Sequence, residues 1–146
     1  GGYQDDSAPI CNKMIKKYLG SKWTIKNNKG FEHGDGMKIP DEGMIAFKGG
    51  TMEYTVTTHE PRTSLMVQLL RSWQCRKAFN GRQFCPGEGT FQLDDNPPIK
   101  VKAKNKAFKY TVPAPVDLGV AVGAGTHTIK MSGSGLQIQG TFGHKA

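Results

Sequence analysis

The sequence lacks the features that would place it in several large protein classes. It has no run approaching the about 18 consecutive apolar residues that a membrane-spanning helix needs, and no Asn-X-Ser/Thr site for N-linked glycosylation. Its 19 glycines and 8 prolines follow no fixed period, which excludes a collagen-like chain. The same abundance without a period is typical of a β-rich domain with many turns.

Local signatures of catalysis are also absent. The sequence has no Gly-x-Ser-x-Gly, no catalytic-cysteine motif and no phosphate-binding loop, and its 4 histidines do not include the close pair that zinc sites usually have. The pair Asp94-Asp95 adjoins Asn-Pro-Pro, so a turn accounts for it. These absences favour a non-catalytic protein without metal or cofactor over a small hydrolytic enzyme, which stays open as an alternative.

What the sequence does contain is positive charge. It has 20 Lys and Arg against 12 Asp and Glu, a formal net charge of +8 and a pI near 9.5. Such a balance favours phosphate, sulfate or uronate partners and anionic membrane surfaces. No recognisable nucleic-acid-binding module accompanies the charge. At 146 residues the chain is expected to form one domain, residues 1–146, around one core.

The charge is patterned most clearly in one predicted strand. Lysine occupies every second position there, at Lys100, Lys102, Lys104 and Lys106. Successive side chains of a strand point to opposite faces of a sheet, so a strand that continued to Val112 would carry one row of ammonium groups. Such a row either protects a solvated sheet edge or binds a polyanion.

The 3 cysteines predict one disulfide. Cys75 and Cys85 flank Asn80-Gly81, a strong hairpin signal, and a three-residue loop with a left-handed Gly81 places the two cysteines opposite each other. A two-residue turn would shift this register by one. A Cys75–Cys85 bond indicates an oxidising compartment, so we predict a secreted, extracellular protein. Cys11 is the odd cysteine, free or bonded. The same register pairs Arg76 with Phe84, Lys77 with Gln83 and Ala78 with Arg82.

Short apolar or alternating runs bounded by glycine and proline recur along the chain and predict β-strands. The fold class is therefore predicted as mainly β, an antiparallel β-sandwich of jelly-roll type. One N-terminal α-helix is expected over residues 8–19, because Asp5-Asp6-Ser7 caps its start and Gly20 ends it. This helix is expected to pack on the sandwich, since it is too short to cross a bilayer.

The C-terminal run from Val116 to Phe142, which contains Ala-Gly-Thr-His-Thr-Ile, resembles the closing strands of galactose-binding-like jelly-roll carbohydrate-binding modules. The segment from Gly49 to Val56 resembles an earlier strand of that fold. The resemblance implies a β-sandwich and a carbohydrate ligand. The polar residue that typically closes the family's site in the last strand has no clear equivalent here, so no ligand residue is carried over. A shorter segment, Gly87 to Asp95, is similar to part of the aegerolysins, small β-sandwiches that bind membrane lipids.

Basic and aromatic residues interleave around the predicted hairpin, and this mixture suits a glycan because rings stack on sugars while cations meet anions. We predict a secreted, non-catalytic binding protein for an anionic glycan or other extracellular polyanion. The alternative is a secreted effector or membrane-active toxin that binds anionic lipid. The predicted ligand-binding residues are Lys100, Lys102, Lys104, Lys106, Arg76, Lys77, Arg82 and Trp73.

Overall fold

The computed structural model of the chain describes residues 24–33, 43–78 and 81–146, and this part is built from β-strands. Within these ranges there is no helix, and therefore no helix long and apolar enough to cross a membrane. The helix predicted over residues 8–19 lies outside them. The strands are β1 Thr24–His33, β2 Met44–Thr58, β3 Arg62–Arg71, β4 Arg76–Lys77, β5 Gln83–Phe84, β6 Glu88–Leu93, β7 Ile99–Lys102, β8 Val112–Val122, β9 Gly125–Ser134 and β10 Leu136–Lys145.

Eight of the strands form one antiparallel sheet in the order β7-β6-β9-β2-β10-β3-β8, with β1 paired to β2, while β4 and β5 form a separate hairpin. The prediction of a mainly β, antiparallel chain is confirmed. The two facing sheets of the predicted jelly-roll sandwich are replaced by a single sheet, which curls into a nearly closed, barrel-like layer. A sheet that curls in this way encloses a core without a second layer.

The curl depends on a bend between β9 and β10. Both strands run antiparallel along β2, with Gly133 opposite Gly50 and then Leu136 opposite Ala46. The run Ser132-Gly-Ser-Gly135 is therefore a bend in one continuous path along β2. Gly135 adopts a φ of +67°, which favours glycine, and past this point β10 pairs with β3.

The two ends of the sheet approach each other beyond β3 and β7. Ser72, the first residue after β3, forms a parallel bridge with Lys104. Its N–H donates to the carbonyl of Ala103 at 3.0 Å, and its carbonyl accepts from the N–H of Asn105 at 3.1 Å. These bonds bring the end of β3 beside the segment that follows β7, although the two lie at different positions in the sheet order.

The core lies inside the curled sheet, where alternate side chains of each strand point inward. In β2, Met52, Tyr54 and Val56 are buried while the residues between them face outward. Each large apolar side chain that is fully buried contributes roughly 1.5–3 kcal/mol. Tyr54 hydrogen-bonds Thr141 through its hydroxyl; burial raises the pKa of the phenol, an effect that this bond reduces without reversing. Other core residues are Leu65, Val67, Leu69, Phe91, Leu93, Ile129, Met131, Leu136 and Ile138.

The hairpin of β4 and β5 has the predicted pairing, and its disulfide is confirmed. Cys75 is bonded to Cys85, and their Cα atoms are 4.1 Å apart. Gly81 adopts the left-handed conformation that was expected, with a φ of +77°. Residues 79–80 lie outside the described ranges. The observed register pairs Arg76 with Phe84 and Lys77 with Gln83, and the N–H of Ala78 donates to the carbonyl of Arg82.

This hairpin packs on the outer face of β2. Ile45, Ala78 and Phe84 form a small buried cluster of their own, with Phe47 against it. The rings of Phe47 and Phe84 meet edge to face, with centroids 6.0 Å apart. Aromatic pairs in this arrangement contribute about 0.5–1.5 kcal/mol beyond their buried area. The hairpin is thus held to the sheet by apolar contacts at one end of β2.

The predicted lysine strand is shorter than expected, and this is a correction. β7 ends at Lys102 and does not continue to Val112. The chain turns at Asn105, whose carbonyl accepts from the N–H of Phe108 at 3.0 Å and whose side-chain oxygen accepts from the N–H of Ala107 at 2.9 Å. An asparagine side chain that bonds the backbone two residues onward competes with strand pairing. The last two lysines of the row therefore lie beyond the strand.

Candidate functional site

Trp73 lies at the surface beside two of the predicted lysines. Its side chain is 40% exposed. The Nζ atom of Lys104 lies 4.9 Å from the centroid of the indole ring, and that of Lys106 lies 5.5 Å from it. Both distances are within the range of a cation–π interaction. The fold thus places two ammonium groups against one exposed aromatic ring, and we call these three residues the Trp73 cluster.

Main-chain hydrogen bonds hold the Trp73 cluster together. The N–H of Trp73 donates to the carbonyl of Phe108 at 2.8 Å, next to the bonds that Ser72 makes with the lysine loop. The N–H of Lys104 donates to the carbonyl of Gly87 at 3.1 Å. Cys75, which is bonded to Cys85, lies only two residues after Trp73. Because backbone bonds fix both segments, little ordering is needed before a ligand binds.

Lys100 and Lys102 lie on β7, outside the Trp73 cluster. Both are exposed, and the residues that follow each of them, Val101 and Ala103, are buried. Residues two apart in a strand are separated by about 6.6 Å. The two lysines therefore extend the positive charge along the outer face, away from Trp73. Lys102 stands opposite Glu88 of β6, so part of its charge faces a carboxylate on the same side of the sheet.

The arginines of the hairpin contact other parts of the protein. Arg82 Nη1 donates to Glu32 Oε2 at 2.6 Å, and its guanidinium carbon lies 3.8 Å from the centroid of the Phe47 ring. Arg76 lies 4.8 Å from the centroid of the Phe84 ring. An exposed ion pair of this kind contributes only about 0–1 kcal/mol. These contacts hold Arg82 against the sheet and Arg76 against Phe84 of the hairpin, and they do not involve the Trp73 cluster.

A histidine–carboxylate pair lies near the turn between β8 and β9. His127 Nδ1 is 2.7 Å from Asp94 Oδ2, and its Nε2 is 2.6 Å from the carbonyl oxygen of Gly123. A carbonyl oxygen only accepts, so Nε2 carries a hydrogen and both ring nitrogens are engaged. Burial lowers the pKa of His127. Its bonds to Asp94 and Gly123 and the charge of Asp94 raise the pKa by more than burial lowers it, so the net shift is upward. The imidazole ring thus connects Asp94 and Gly123 by hydrogen bonds, and neither of its nitrogens is left to act as a base.

The described residues contain no cluster of three or more His, Cys, Asp or Glu side chains able to hold a metal ion.

The sequence analysis missed the residues that hold the Trp73 cluster in place. Ser72 is buried, and its hydroxyl both donates to the carbonyl of Gln74 and accepts from its N–H. The one usable signal was Asn105, because asparagine is depleted in strands and enriched in turns. Lys77, the third predicted cation of the hairpin, is exposed.

Comparisons with known proteins give no family assignment. No protein-family model matches the chain, and a search of curated proteins finds no match. Among solved structures, the chain is similar to an exo-β-1,3-galactanase from Phanerochaete chrysosporium with galactose, at 16% identity over 81% of this chain and 27% of that one, with a TM-score of 0.43. A second structure of that enzyme, with β-1,3-galactotriose, gives 11% identity at the same coverage and a TM-score of 0.40. The chain thus spans 27% of the length of those galactanase chains.

Proposed function

We propose that this protein binds an acidic polysaccharide, or a similar extracellular polyanion, without transforming it. The observation that carries the proposal is the exposed ring of Trp73 with the ammonium groups of Lys104 and Lys106 within 5.5 Å of its centroid. An aromatic face packs on the apolar face of a sugar ring. The ammonium groups then pair with carboxylate or sulfate groups on the same or the next sugar.

Binding requires the two lysines to exchange partners. An exposed cation–π interaction contributes about 0.5–1 kcal/mol, and an exposed ion pair contributes a similar amount, about 0–1 kcal/mol. Moving an ammonium group from the ring to a carboxylate therefore costs little, and it clears the indole face for a sugar. A neutral sugar supplies no new partner for the displaced lysines. The Trp73 cluster is thus expected to select acidic ligands.

The proposed ligand is a chain, not a single sugar. Lys100 and Lys102 carry positive charge from the Trp73 cluster along β7, at intervals of about 6.6 Å. A polymer with repeated acidic groups can contact several of these lysines at once, which raises its apparent affinity over that of one repeat unit. Short acidic oligosaccharides are therefore expected to bind more weakly than longer ones.

A secreted location is part of this proposal. The Cys75–Cys85 bond supports it, because structural disulfides form and persist in oxidising compartments such as the extracellular space. Acidic polysaccharides are available to a protein in that location.

The test is retention on a heparin column, followed by titration with polygalacturonate, in matched charge variants. The double variant Lys104→Ala/Lys106→Ala is expected to elute at lower salt than Lys26→Ala/Lys145→Ala. Both pairs lose the same charge, but the control pair lies on β1 and β10. Trp73→Ala is expected to weaken polygalacturonate binding about tenfold, equivalent to about 1.4 kcal/mol. Equal elution of the two double variants would show that diffuse charge accounts for binding, and would refute the proposal.

A third variant separates geometry from charge. Asn105→Ala removes the side-chain acceptor that bonds the N–H of Ala107, while the net charge stays the same. We expect weaker polygalacturonate binding, because the loop that presents Lys104 and Lys106 loses a hydrogen bond of about 1 kcal/mol. Asn28→Ala, which removes a side-chain acceptor that bonds the N–H of Phe31 on β1, is the control. Unchanged affinity in the Asn105 variant would mean that the loop geometry does not matter.

An anionic lipid surface is the second candidate ligand, favoured by one further observation. Tyr110 is 77% exposed and lies two residues after Phe108, whose carbonyl accepts from the N–H of Trp73. Exposed tryptophan and tyrosine beside lysine are typical of residues at a membrane interface. Flotation with phosphatidylserine vesicles distinguishes the two: recovery with vesicles that is lost in Trp73→Ala and Tyr110→Ala, without retention on heparin, would favour lipid.

A further inference from the structure

A second polar surface lies on the outer face of the sheet, away from the core. In an antiparallel sheet, directly opposed residues project from the same face. The pairings of β7, β6, β9, β2 and β1 therefore form one row across five strands, about 19 Å long at 4.8 Å for each of the four gaps. Its members, all exposed or half-buried, are Lys100, Thr90, Ser132, Thr51 and Lys29.

A parallel row lies one step along the same face. It joins Gln92 to Lys130, Lys130 to Glu53, and Glu53 to Asn27. Between the two rows is a groove with a volume of about 300 Å³, which Pro98 also lines. This volume lies at the small end of the range for sites that bind small molecules.

The groove has a distinct chemistry. Its hydroxyl, amide, carboxylate and ammonium groups provide both hydrogen-bond donors and acceptors. Lys130 and Glu53 stand opposite each other, so the groove itself carries no net charge. The Gln92 side chain is oriented by its Nε2 donating to the carbonyl of Asn96 at 2.9 Å, which leaves its amide oxygen to accept. Most of the lining surface is nevertheless apolar, and Pro98, Met52 and Met131 are among the lining residues. A ligand that suits this lining is neutral, small, and rich in groups that both donate and accept.

We propose that this groove is a subsite for a neutral sugar unit. Each sugar hydroxyl both donates and accepts, which matches the paired donors and acceptors of the lining, and the apolar edge of the ring fits against Pro98. A carboxylate or sulfate in the groove would meet Glu53 as well as Lys130 and gain no net attraction, whereas Lys100 stands just outside, opposite Thr90. This inference deepens and rests on the proposed function: the polysaccharide would carry neutral units in the groove and acidic units along β7.

A matched pair of variants tests the subsite. Thr51 and Thr57 are both exposed on β2 and project from the same face, but only Thr51 lines the groove. Thr51→Trp fills it, whereas Thr57→Trp adds the same side chain outside it. Neutral tetrasaccharides of glucose, galactose, xylose and mannose are titrated into the full chain, and binding is followed by backbone amide shifts. We expect at least one to shift the amides of Thr51, Thr90 and Lys130. Its affinity should fall about tenfold or more in Thr51→Trp, while Thr57→Trp binds as the original protein does.

The outcomes separate this inference from the proposed function. No shifts with any of the four sugars, or shifts that persist in Thr51→Trp, would overturn the subsite. Unchanged retention of Thr51→Trp on heparin then shows that its surface for acidic ligands is intact. If heparin retention depends on Lys104 and Lys106 while no neutral sugar binds, only the subsite fails. If neutral sugars bind in the groove but Lys104→Ala/Lys106→Ala elutes with its charge control, the proposed acidic ligand fails, and the protein binds neutral glycans only.

Discussion

Gly135, at the bend between β9 and β10, is hydrogen-bonded both to β2 and to the segment that precedes β6. Its N–H donates to the carbonyl of Ala46 on β2 at 2.9 Å, and its carbonyl accepts from the N–H of Gly87 at 3.0 Å. A Cβ atom added there would lie 2.2 Å from the carbonyl oxygen of Cys85, a backbone atom that cannot swing aside. With a φ of +67°, the position excludes other residues by both conformation and space.

Replacing Gly135 with alanine is predicted to destabilise the protein more than replacing Gly123. Gly123 also has a positive φ, of +92°, but nothing lies within 4 Å of an added Cβ. The Gly123→Ala variant should lose about 1 kcal/mol from conformation alone, and Gly135→Ala should lose about 2–4 kcal/mol because strain is added. Urea unfolding of both variants measures the difference. Equal losses would mean that the bend relaxes to admit a side chain.

Trp73 shows what can be read at the scale of one residue. The basic residues around it made Trp73 a predicted ligand-binding residue, and the structure leaves this residue 40% exposed. Its nearest cations could not be read in the same way. Sequence proximity pointed to Arg76 and Arg82, whereas the ring contacts Lys104 and Lys106. Those contacts depend on hydrogen bonds between segments far apart in the chain.

The β4–β5 hairpin is the element that the sequence predicts best. Its signals are local: an Asn-Gly turn sets the register, and the register sets the disulfide. Nothing from the rest of the fold is needed to derive Cys75–Cys85. The hairpin's contact with Ile45 and Phe47, by contrast, is a tertiary feature without a sequence signal.

The disulfide gives a prediction for this element. The denatured, unreduced protein is expected to expose one reactive thiol, the three cysteines less the two in the bond, and three after reduction. Reduction should lower the free energy of unfolding by roughly 2–3 kcal/mol, since the bond closes a loop with a sequence separation of 10. The far-UV spectrum should change little, because the eight-stranded sheet does not include the hairpin. Thiol titration and thermal unfolding with and without reductant measure these effects; three thiols without reductant would contradict them.

The lysine strand is the element whose length the sequence periodicity predicted wrongly. Alternation of lysine with other residues fits a strand through Lys106, but the Asn105 turn ends the pairing at Lys102. Alternation requires only that one face be solvated, and a loop lying on the surface satisfies that equally well. The period therefore predicted correctly that the lysines are exposed, but not the length of the strand.

At the scale of the whole molecule, His127 ties separate regions together. It lies on β9, Asp94 follows β6, and Gly123 lies in the turn after β8. Asp94 also accepts from the N–H of Thr128 at 2.8 Å. The pKa of His127 is raised, so the folded state binds this proton more tightly than the unfolded chain does.

The predicted consequence is a stability that falls as pH rises. The contribution of His127 should be fully present below its unfolded pKa of about 6.5 and lost as the pH rises through the higher folded pKa. Thermal unfolding across that range should show a declining midpoint. His127→Gln should remove the decline and cost about 1–3 kcal/mol at acidic pH, while the control His59→Gln, at an exposed position, should keep it. A decline that persists in His127→Gln would assign it to another group.

The sequence by itself determined the strand-rich class, the hairpin register with its disulfide, and the exposure of the lysines, because each follows from local turn chemistry or from alternation between core and solvent. Only the tertiary structure decided that one curled sheet forms instead of a sandwich, that Trp73 meets Lys104 and Lys106, and that four strands place a groove with both polar and apolar lining on one face. Those features depend on pairing between distant strands. Strand register is a collective choice of the whole sheet, and local sequence leaves it open.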